Sequence, residues 1–302
     1  MKENAMQIQK VRSSIVNFLR DKYNNAPVST IQSGFELGLS GGIDSAVVLT
    51  LAYEALGPDY VYCQMLPYHK NDNLKDAIEL AETFKVKYTV NNIKKAHDTI
   101  CAEQAWSKLA KENLMARIRM CYLYSAANTH GRLVLGTCNL SEIMVGYFTK
   151  WGDGAADVEP LGRLLKKHVY ELARDWNEKH ADEPQIPEQI LTKAPSADLY
   201  PGQVDETDIG SYKILDDYLM YRIFGQFTDE VKSTDVARIE NLVNESQHKR
   251  EPIPLPAIPN SFIIGNSEDK LTAPEIIKIL RGAAWDTSAS QLQDLVRSLL
   301  TD

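Results

Sequence analysis

The run Leu39-Ser40-Gly41-Gly42-Ile43-Asp44-Ser45 joins a short apolar stretch to an apolar helical one, and its residue types suit a bound anion. Two glycines let backbone N–H groups approach an oxyanion closely, and a helix start adds partial positive charge. Ser40 and Ser45 supply hydroxyl donors, and Asp44 can hold a divalent cation beside phosphates. The combination reads as a pyrophosphate cradle. It lacks the Gly-Lys-Ser/Thr ending of a Walker loop and the G-x-G-x-x-G spacing of a dinucleotide-binding turn. The competing reading is a tight strand-to-helix turn that binds nothing, since Asp and Ser also serve as ordinary helix caps.

A second group of chemically capable residues lies further along. Gly136-Thr137-Cys138-Asn139-Leu140-Ser141-Glu142 is followed by Gly146-Tyr147-Phe148-Thr149-Lys150-Trp151-Gly152-Asp153-Gly154-Ala155-Ala156-Asp157. Taken singly, these residues have plain structural roles. Arg117 and Arg119 read as solvated helix charges, and Glu142 as a helix-start carboxylate. Lys150 with Asp157 reads as a surface ion pair worth under ~1 kcal/mol. His248-Lys249-Arg250 reads as a cation cluster on a helix C-terminus. Cys138 is filler rather than a nucleophile.

The elements that must position these groups follow from periodicity. Apolar residues at helical spacing predict helices over 6–23, 43–56, 73–84, 96–110, 113–129, 161–179, 212–224 and 234–248. Short apolar runs predict strands over 35–39, 60–66, 87–90 and 132–136. Strands alternating with helices imply right-handed β-α-β units and one doubly wound parallel sheet flanked by helices, a Rossmann-like α/β fold. Ligands in such sheets bind at the carboxyl ends of the strands, where the Ser-Gly-Gly turn and Gly136-Thr137 both fall. Residues 181–209, rich in proline, read as a long functional loop. Residues 251–259 read as extended and 273–300 as two short helices, which sets a 1–250 domain apart from a 251–302 extension packed on that domain or on a dimer partner.

Composition narrows the classes. Across 302 residues, 44% hydrophobic and 25% charged content is that of a water-soluble globular protein with a sizeable core. The net charge of −8 argues against a general nucleic-acid binder. No apolar run approaches the ~20 residues of a membrane span, and the N-terminus carries no signal-peptide pattern, so no membrane partner and a cytoplasmic location are expected. Cys63, Cys101, Cys121 and Cys138 are scattered, as in a reducing compartment.

Ser-Gly-Gly-x-Asp-Ser resembles the loop of the ATP pyrophosphatases (adenine nucleotide alpha hydrolase-like, N-type), which cleave ATP between its α and β phosphates. The later run resembles the signature of the NAD synthetase family. That signature has Gly-Thr, a glutamate five residues after the threonine, and then Gly-Tyr/Phe-Phe-Thr-Lys-x-Gly-Asp-Gly-x-x-Asp. Agreement extends to Ala116-Arg117-Ile118-Arg119-Met120, Leu165-Lys166, Lys193-Ala194-Pro195-Ser196-Ala197-Asp198-Leu199, Asp205-Glu206 and His248-Lys249-Arg250.

The resemblance implies ATP-dependent amidation of deamido-NAD with ammonia, through a nicotinyl adenylate, giving NAD, AMP and pyrophosphate. It implies ATP contacts from Leu39, Ser40, Gly41, Gly42, Ile43, Asp44, Ser45, Thr137, Lys166 and Ser196. Deamido-NAD contacts would come from Arg117, Lys150, Asp157, His248 and Lys249. Catalysis would rest on Asp44, Lys150, Asp157 and Lys166, and residues 193–208 would close over ATP. Magnesium favours one or two carboxylates plus phosphate oxygens and waters, so Asp44 and Glu142 suffice as its protein ligands. The family is homodimeric, and the same is expected here. About 35 residues before the Ser-Gly-Gly strand leave no room for a glutaminase domain.

Two departures stand out. Ser196 replaces a common threonine, and Leu66-Pro67-Tyr68-His69-Lys70-Asn71 follows the second strand where the family usually carries an arginine and a glutamine, leaving Gln64 and Lys70 as the nearby polar candidates for adenosine. Other adenylating ATP pyrophosphatases, of the GMP synthetase or tRNA-modifying kind, and a silent nucleotide sensor on the same fold are the alternatives. The charge of −8 and the Gly-Tyr-Phe-Thr-Lys run speak against the other ATP pyrophosphatases, and intact Asp44, Glu142, Lys150 and Lys166 against a sensor.

Overall fold

The computed structural model describes residues 2–26, 33–69, 72–197, 202–225 and 233–251. Four strands, β1 (Phe35–Gly38), β2 (Val61–Met65), β3 (Lys87–Val90) and β4 (Leu133–Leu135), form one all-parallel sheet in the order β3-β2-β1-β4. Phe35 pairs with Val61 on one side of β1 and with Leu133 on the other. The order reverses between β1 and β4, which is where an open α/β sheet opens a crevice at its carboxyl edge.

Strand alternation sorts the two faces. Phe35, Leu37, Val61, Cys63, Met65 and Leu135 point into the larger core, whereas Val134 joins a cluster on the opposite face with Ile93, Met115 and Leu123. The first face is covered by α1 (Lys2–Asn24), α2 (Ile43–Leu56) and α7 (Lys166–Lys179), which pack on one another. Ten of the fourteen α2 residues are buried, as its apolar sequence demands. On the other face α5 (Lys108–His130) crosses β1 and β4, with α4 (Lys94–Cys101) packed beside it. Between strands β2 and β3 runs α3 (Asp72–Thr83).

A third cluster gathers α6 (Leu140–Val145), α10 (Tyr212–Phe224) and α11 (Ser233–Glu245), with Leu215, Leu219 and Ile239 at its centre.

Four expected elements differ in detail. The helix expected over 96–110 is two helices, because Ser107 turns extended and its side chain accepts from the Ala110 N–H, starting α5 afresh. The helix expected over 161–179 begins at Lys166, because Leu165 is extended and its N–H donates to the His168 ring. The long loop over 181–209 contains two single-turn helices, α8 (Glu188–Thr192) and α9 (Asp205–Ile209). Its first part is fastened to α7, since Trp176 Nε1 donates to Pro184 O at 2.8 Å and Asn177 bonds both backbone groups of Ile186. The helix expected over 234–248 ends at Glu245 and is followed by α12 (Gln247–Arg250). The chain divides after Arg250, and every described element belongs to the first unit. Lys70 and the expected elements over 252–302 lie outside the described residues.

Candidate active site

At the switch point, the turn after β1 and the turn after β4 face each other across a cavity of about 590 Å3. Ser40, Asp44, Thr137, Glu142, Lys166 and Ser196 line it, together with the other residues of the 39–45 run except Gly41. The turn is internally bonded. Ser40 Oγ and Ser45 Oγ lie 3.0 Å apart, the Gly42 N–H donates to Ser40 Oγ at 3.2 Å, and Ser45 Oγ donates to Gly42 O at 3.1 Å. Gly41 has φ +77°, a region costly for any residue with a side chain.

Lys166, 2% exposed, is the electrostatic centre. Its ammonium reaches Asp44 Oδ2 at 2.6 Å and Glu142 Oε1 at 3.0 Å, and it sits 4.8 Å above the Tyr212 ring. Burial alone would lower its pKa, but the two carboxylates outweigh that and hold it above its ordinary value. Glu142 is pushed up to about 7, first by burial and then by Asp44, against the opposing pull of Lys166. Tyr212 OH lies 3.1 Å from both Glu142 Oε1 and Asp205 Oδ2, and Asp205 in turn accepts from the Ala197 N–H at 2.9 Å.

Asn139, fully buried, was not singled out in the sequence although it organises the group. Its amide donates to Asp44 Oδ1 at 2.9 Å, and it forms a capping box with Glu142 at the start of α6. The Asn-x-x-Glu spacing was the legible signal for it. Asp205 and Lys193 stood in the quoted motifs without an assigned role, and Tyr212 carried no signal at all. Burial beside several carboxylates raises the Cys138 thiol well above its ordinary value, which keeps it protonated and a poor nucleophile.

The group expected to hold the acceptor is arranged differently. Lys249 lines the cavity, with its ammonium 2.7 Å from both Gly146 O and Phe148 O, and burial lowers its pKa. Arg117, Lys150, Asp157 and His248 lie outside the cavity lining. Arg117 Nε donates to Lys150 O at 3.3 Å, and Lys150 Nζ donates to His248 O at 2.5 Å. Tyr124, seven residues after Arg117 on α5, donates to Asp157 Oδ1 at 3.2 Å, while Asp157 Oδ2 takes the Val134 N–H at 2.8 Å. Gln64 donates its side-chain amide to Glu36 Oε1 at 2.8 Å and to Tyr122 O at 3.2 Å.

Among the described residues no three His, Cys, Asp or Glu side chains converge as a metal cage. Asp44 and Glu142 nevertheless converge on one cation, the Lys166 ammonium, so their carboxylates are already placed to share a charge inside the cavity. Two carboxylates with no third protein ligand suit a cation that takes its remaining ligands from phosphate and water.

A parallel sheet flanked by helices, with a glycine-rich strand-to-helix turn at its switch point, is the architecture of the adenine nucleotide alpha hydrolase-like class. The family model described as NAD synthase matches residues 11–253. The NH3-dependent NAD+ synthetase of Pyrococcus furiosus is 40% identical over 255 residues, covering 81% of this chain and 93% of that protein. Its counterpart in Archaeoglobus fulgidus is 39% identical, covering 83% and 97%. Among solved structures, the NMN synthetase of Francisella tularensis superposes with a TM-score of 0.73 at 37% identity, covering 83% of this chain and 99% of that one. The NH3-dependent NAD synthetase of Campylobacter jejuni gives 0.65 at 26%, with the same coverage. The chain belongs to the NAD synthase family and is a carbon–nitrogen ligase.

Proposed function

We propose that the protein carries out ammonia-dependent NAD synthesis, amidating the nicotinate carboxylate of deamido-NAD at the expense of ATP. The observation that carries this reading is the meeting of the 39–45 phosphate turn with Asp44, Lys166 and Glu142 in one cavity at the sheet's switch point. A carboxylate is unreactive toward ammonia at neutral pH and needs a better leaving group. Its oxygen attacks the α-phosphorus of ATP, the bond from that phosphorus to the bridging oxygen breaks, and pyrophosphate leaves. The nitrogen of ammonia then attacks the acyl carbon, AMP departs and a proton is lost. No protein nucleophile is required, so the enzyme's contribution is positioning and electrostatic stabilisation.

In this reading the N–H and hydroxyl groups of residues 40–45 cradle the phosphates, with Thr137 and Ser196 adding donors from the facing turn and the loop beyond α8. The Lys166 ammonium meets the charge that moves onto the leaving pyrophosphate. Asp44 and Glu142 hold Mg2+, which when bound neutralises polyphosphate charge. Arg117, Lys150, Asp157, His248 and Lys249 orient the acceptor, Lys150 countering its carboxylate. The α5 face that carries Arg117 is open, with Cys121 and Ser125 also exposed there, which suits completion of the acceptor site by a second subunit in a homodimer. The free thiols suit the cytoplasm.

The Francisella match favours a second acceptor, the nicotinate mononucleotide, which presents the same carboxylate without the AMP half. Both readings are tested by incubating the protein with ATP, magnesium and either acceptor, with ammonium or glutamine as donor, while following AMP, pyrophosphate and the amide. The expected result is NAD from deamido-NAD with ammonium only. A kcat/KM higher for the mononucleotide would transfer the reading to it. Absence of AMP with both acceptors would overturn the ligase activity itself.

A further inference from the structure

Lys193, just past the end of α8, lines the same cavity and holds its ammonium against Gly41 of the phosphate turn. It donates to Gly41 O at 2.9 Å, Asn73 Oδ1 at 2.8 Å and Asp76 Oδ2 at 2.6 Å. A lysine ammonium has three N–H donors, and here all three are taken by the protein. A lysine so committed acts on the turn through these three bonds. Its carboxylate partner is largely shielded, with the Asp76 side chain 14% exposed and that of Lys193 29%.

The contact to Gly41 is the informative one. The Gly41–Gly42 peptide has glycine on both sides and therefore the least steric resistance to rotation as a unit. In a trans peptide the carbonyl and the following N–H point in opposite directions, and no cis bond occurs among the described residues. With the Gly41 carbonyl drawn back to Lys193, the Gly42 N–H is turned the other way, where it meets Ser40 Oγ at 3.2 Å. Rotation of this peptide would turn a carbonyl oxygen toward the phosphate oxygens and remove an N–H from them. Helix α3 closes the space behind the turn, since a Cβ on Gly41 would lie 2.2 Å from Asn73 O.

We propose that Lys193 is a positioning residue for ATP. By binding the Gly41 carbonyl and the Asn73 and Asp76 side chains of α3, it locks the Gly41–Gly42 peptide in the orientation that presents N–H groups to the polyphosphate. It also ties the chain leading to Ser196 to the phosphate turn. The inference rests on the proposed use of this turn for ATP, and it adds that affinity for the phosphates depends on a residue that does not touch them.

The test compares ATP binding by calorimetry, adenosine inhibition and the KM for deamido-NAD in wild type, Lys193→Met, Lys193→Arg and Asp76→Asn. Lys193→Met is expected to weaken ATP binding about tenfold or more, the scale of one charged hydrogen bond and its peptide orientation. The adenosine inhibition constant and the deamido-NAD KM should stay within about twofold, because neither depends on the Gly41–Gly42 peptide. Lys193→Arg should recover part of the loss, since a guanidinium can also bridge a carbonyl and a carboxylate. Asp76→Asn should show the same split on a smaller scale, and it serves as the test if Lys193→Met does not fold. Unchanged ATP affinity would overturn the inference, as would parallel losses for ATP and adenosine, which denote general disruption. Wild type that binds ATP yet forms no amide would overturn the proposed function alone.

Discussion

At the scale of single residues the site is an electrostatic compromise around Lys166. Two carboxylates meet a buried ammonium at 2.6 and 3.0 Å on the cavity wall, an arrangement that is costly to desolvate and costlier to leave half made. Lys166→Met is therefore expected to lower kcat for AMP formation by at least about a hundredfold and to lower the thermal midpoint as well, both visible in one activity and melting series. Asp44→Asn keeps one oxygen where Asn139 and Lys166 now use two, so one of these donors loses its acceptor; the thermal midpoint should fall, and AMP formation should become undetectable by chromatography. The position of Glu142 sets a pH dependence. With its pKa at about 7, a proton returns to it as pH falls below that value and removes the charge a metal or ammonium requires. The rate of AMP formation should accordingly drop on the acid side of pH 7, and Glu142→Gln should leave a low rate with that limb flattened. An acid limb that persists unchanged in Glu142→Gln would assign it to another group.

At the scale of elements, short segments are held by side chains that reach across the sheet edge. Helix α6 carries Glu142 and is only six residues long, so its start depends on the reciprocal cap between Asn139 and Glu142. Asn139→Ala is expected to cost about 1–2 kcal/mol in urea unfolding and to weaken ATP binding, since the same side chain also steadies Asp44. In β1 the alternation places Glu36 on the face toward α5, where it accepts from Arg132 at 2.7 Å and from Gln64. The Arg132 guanidinium also lies 3.2 Å from the Tyr62 ring centre. Glu36→Ala would strand a mostly buried cation, at an expected cost of about 3–5 kcal/mol, whereas Glu36→Gln should cost less. Strand β1 was readable from its apolar run, but nothing in that run indicated a partner for Glu36, because the partner lies ninety-six residues away. The break between α4 and α5 was missed for the opposite reason. Its cause is local, a single Ser107 cap whose effect outweighs helical periodicity that continues on both sides.

Across the whole molecule, function and stability pull the acidic groups in opposite directions. Loss of solvation lifts Glu159, which accepts from the Cys138 N–H, to about 8, and Glu142 stands at about 7, against an ordinary glutamate value of 4.5. A carboxyl whose pKa is raised by folding binds its proton more tightly in the folded state. Its stabilising contribution is complete below pH 4.5 and is lost as pH rises through the folded value. These two groups should therefore make the urea midpoint fall between about pH 5 and pH 8.5, and Glu159→Gln should reduce that slope. A midpoint that rises over the same interval would contradict the assignment. No helix among the described residues is long and apolar enough to cross a membrane.

What the sequence by itself determined was the order of elements, the parallel sheet and the two turns that face its crevice. These rest on local signals: apolar periodicity, glycines that permit close approach to an anion, and an ordered set of motif residues. The family followed from that order, and the family matches agree with it. Only the tertiary structure decided what each candidate group is bonded to and which of them stand outside the cavity. Lys166 faces Asp44 across 122 residues and Lys193 faces Gly41 across 152, distances over which no local pattern carries information. The separation of the Lys166 cavity from Arg117, Lys150 and Asp157 likewise depends on how α5 crosses the sheet, which is set by packing of its buried face and not by the spacing of its charges.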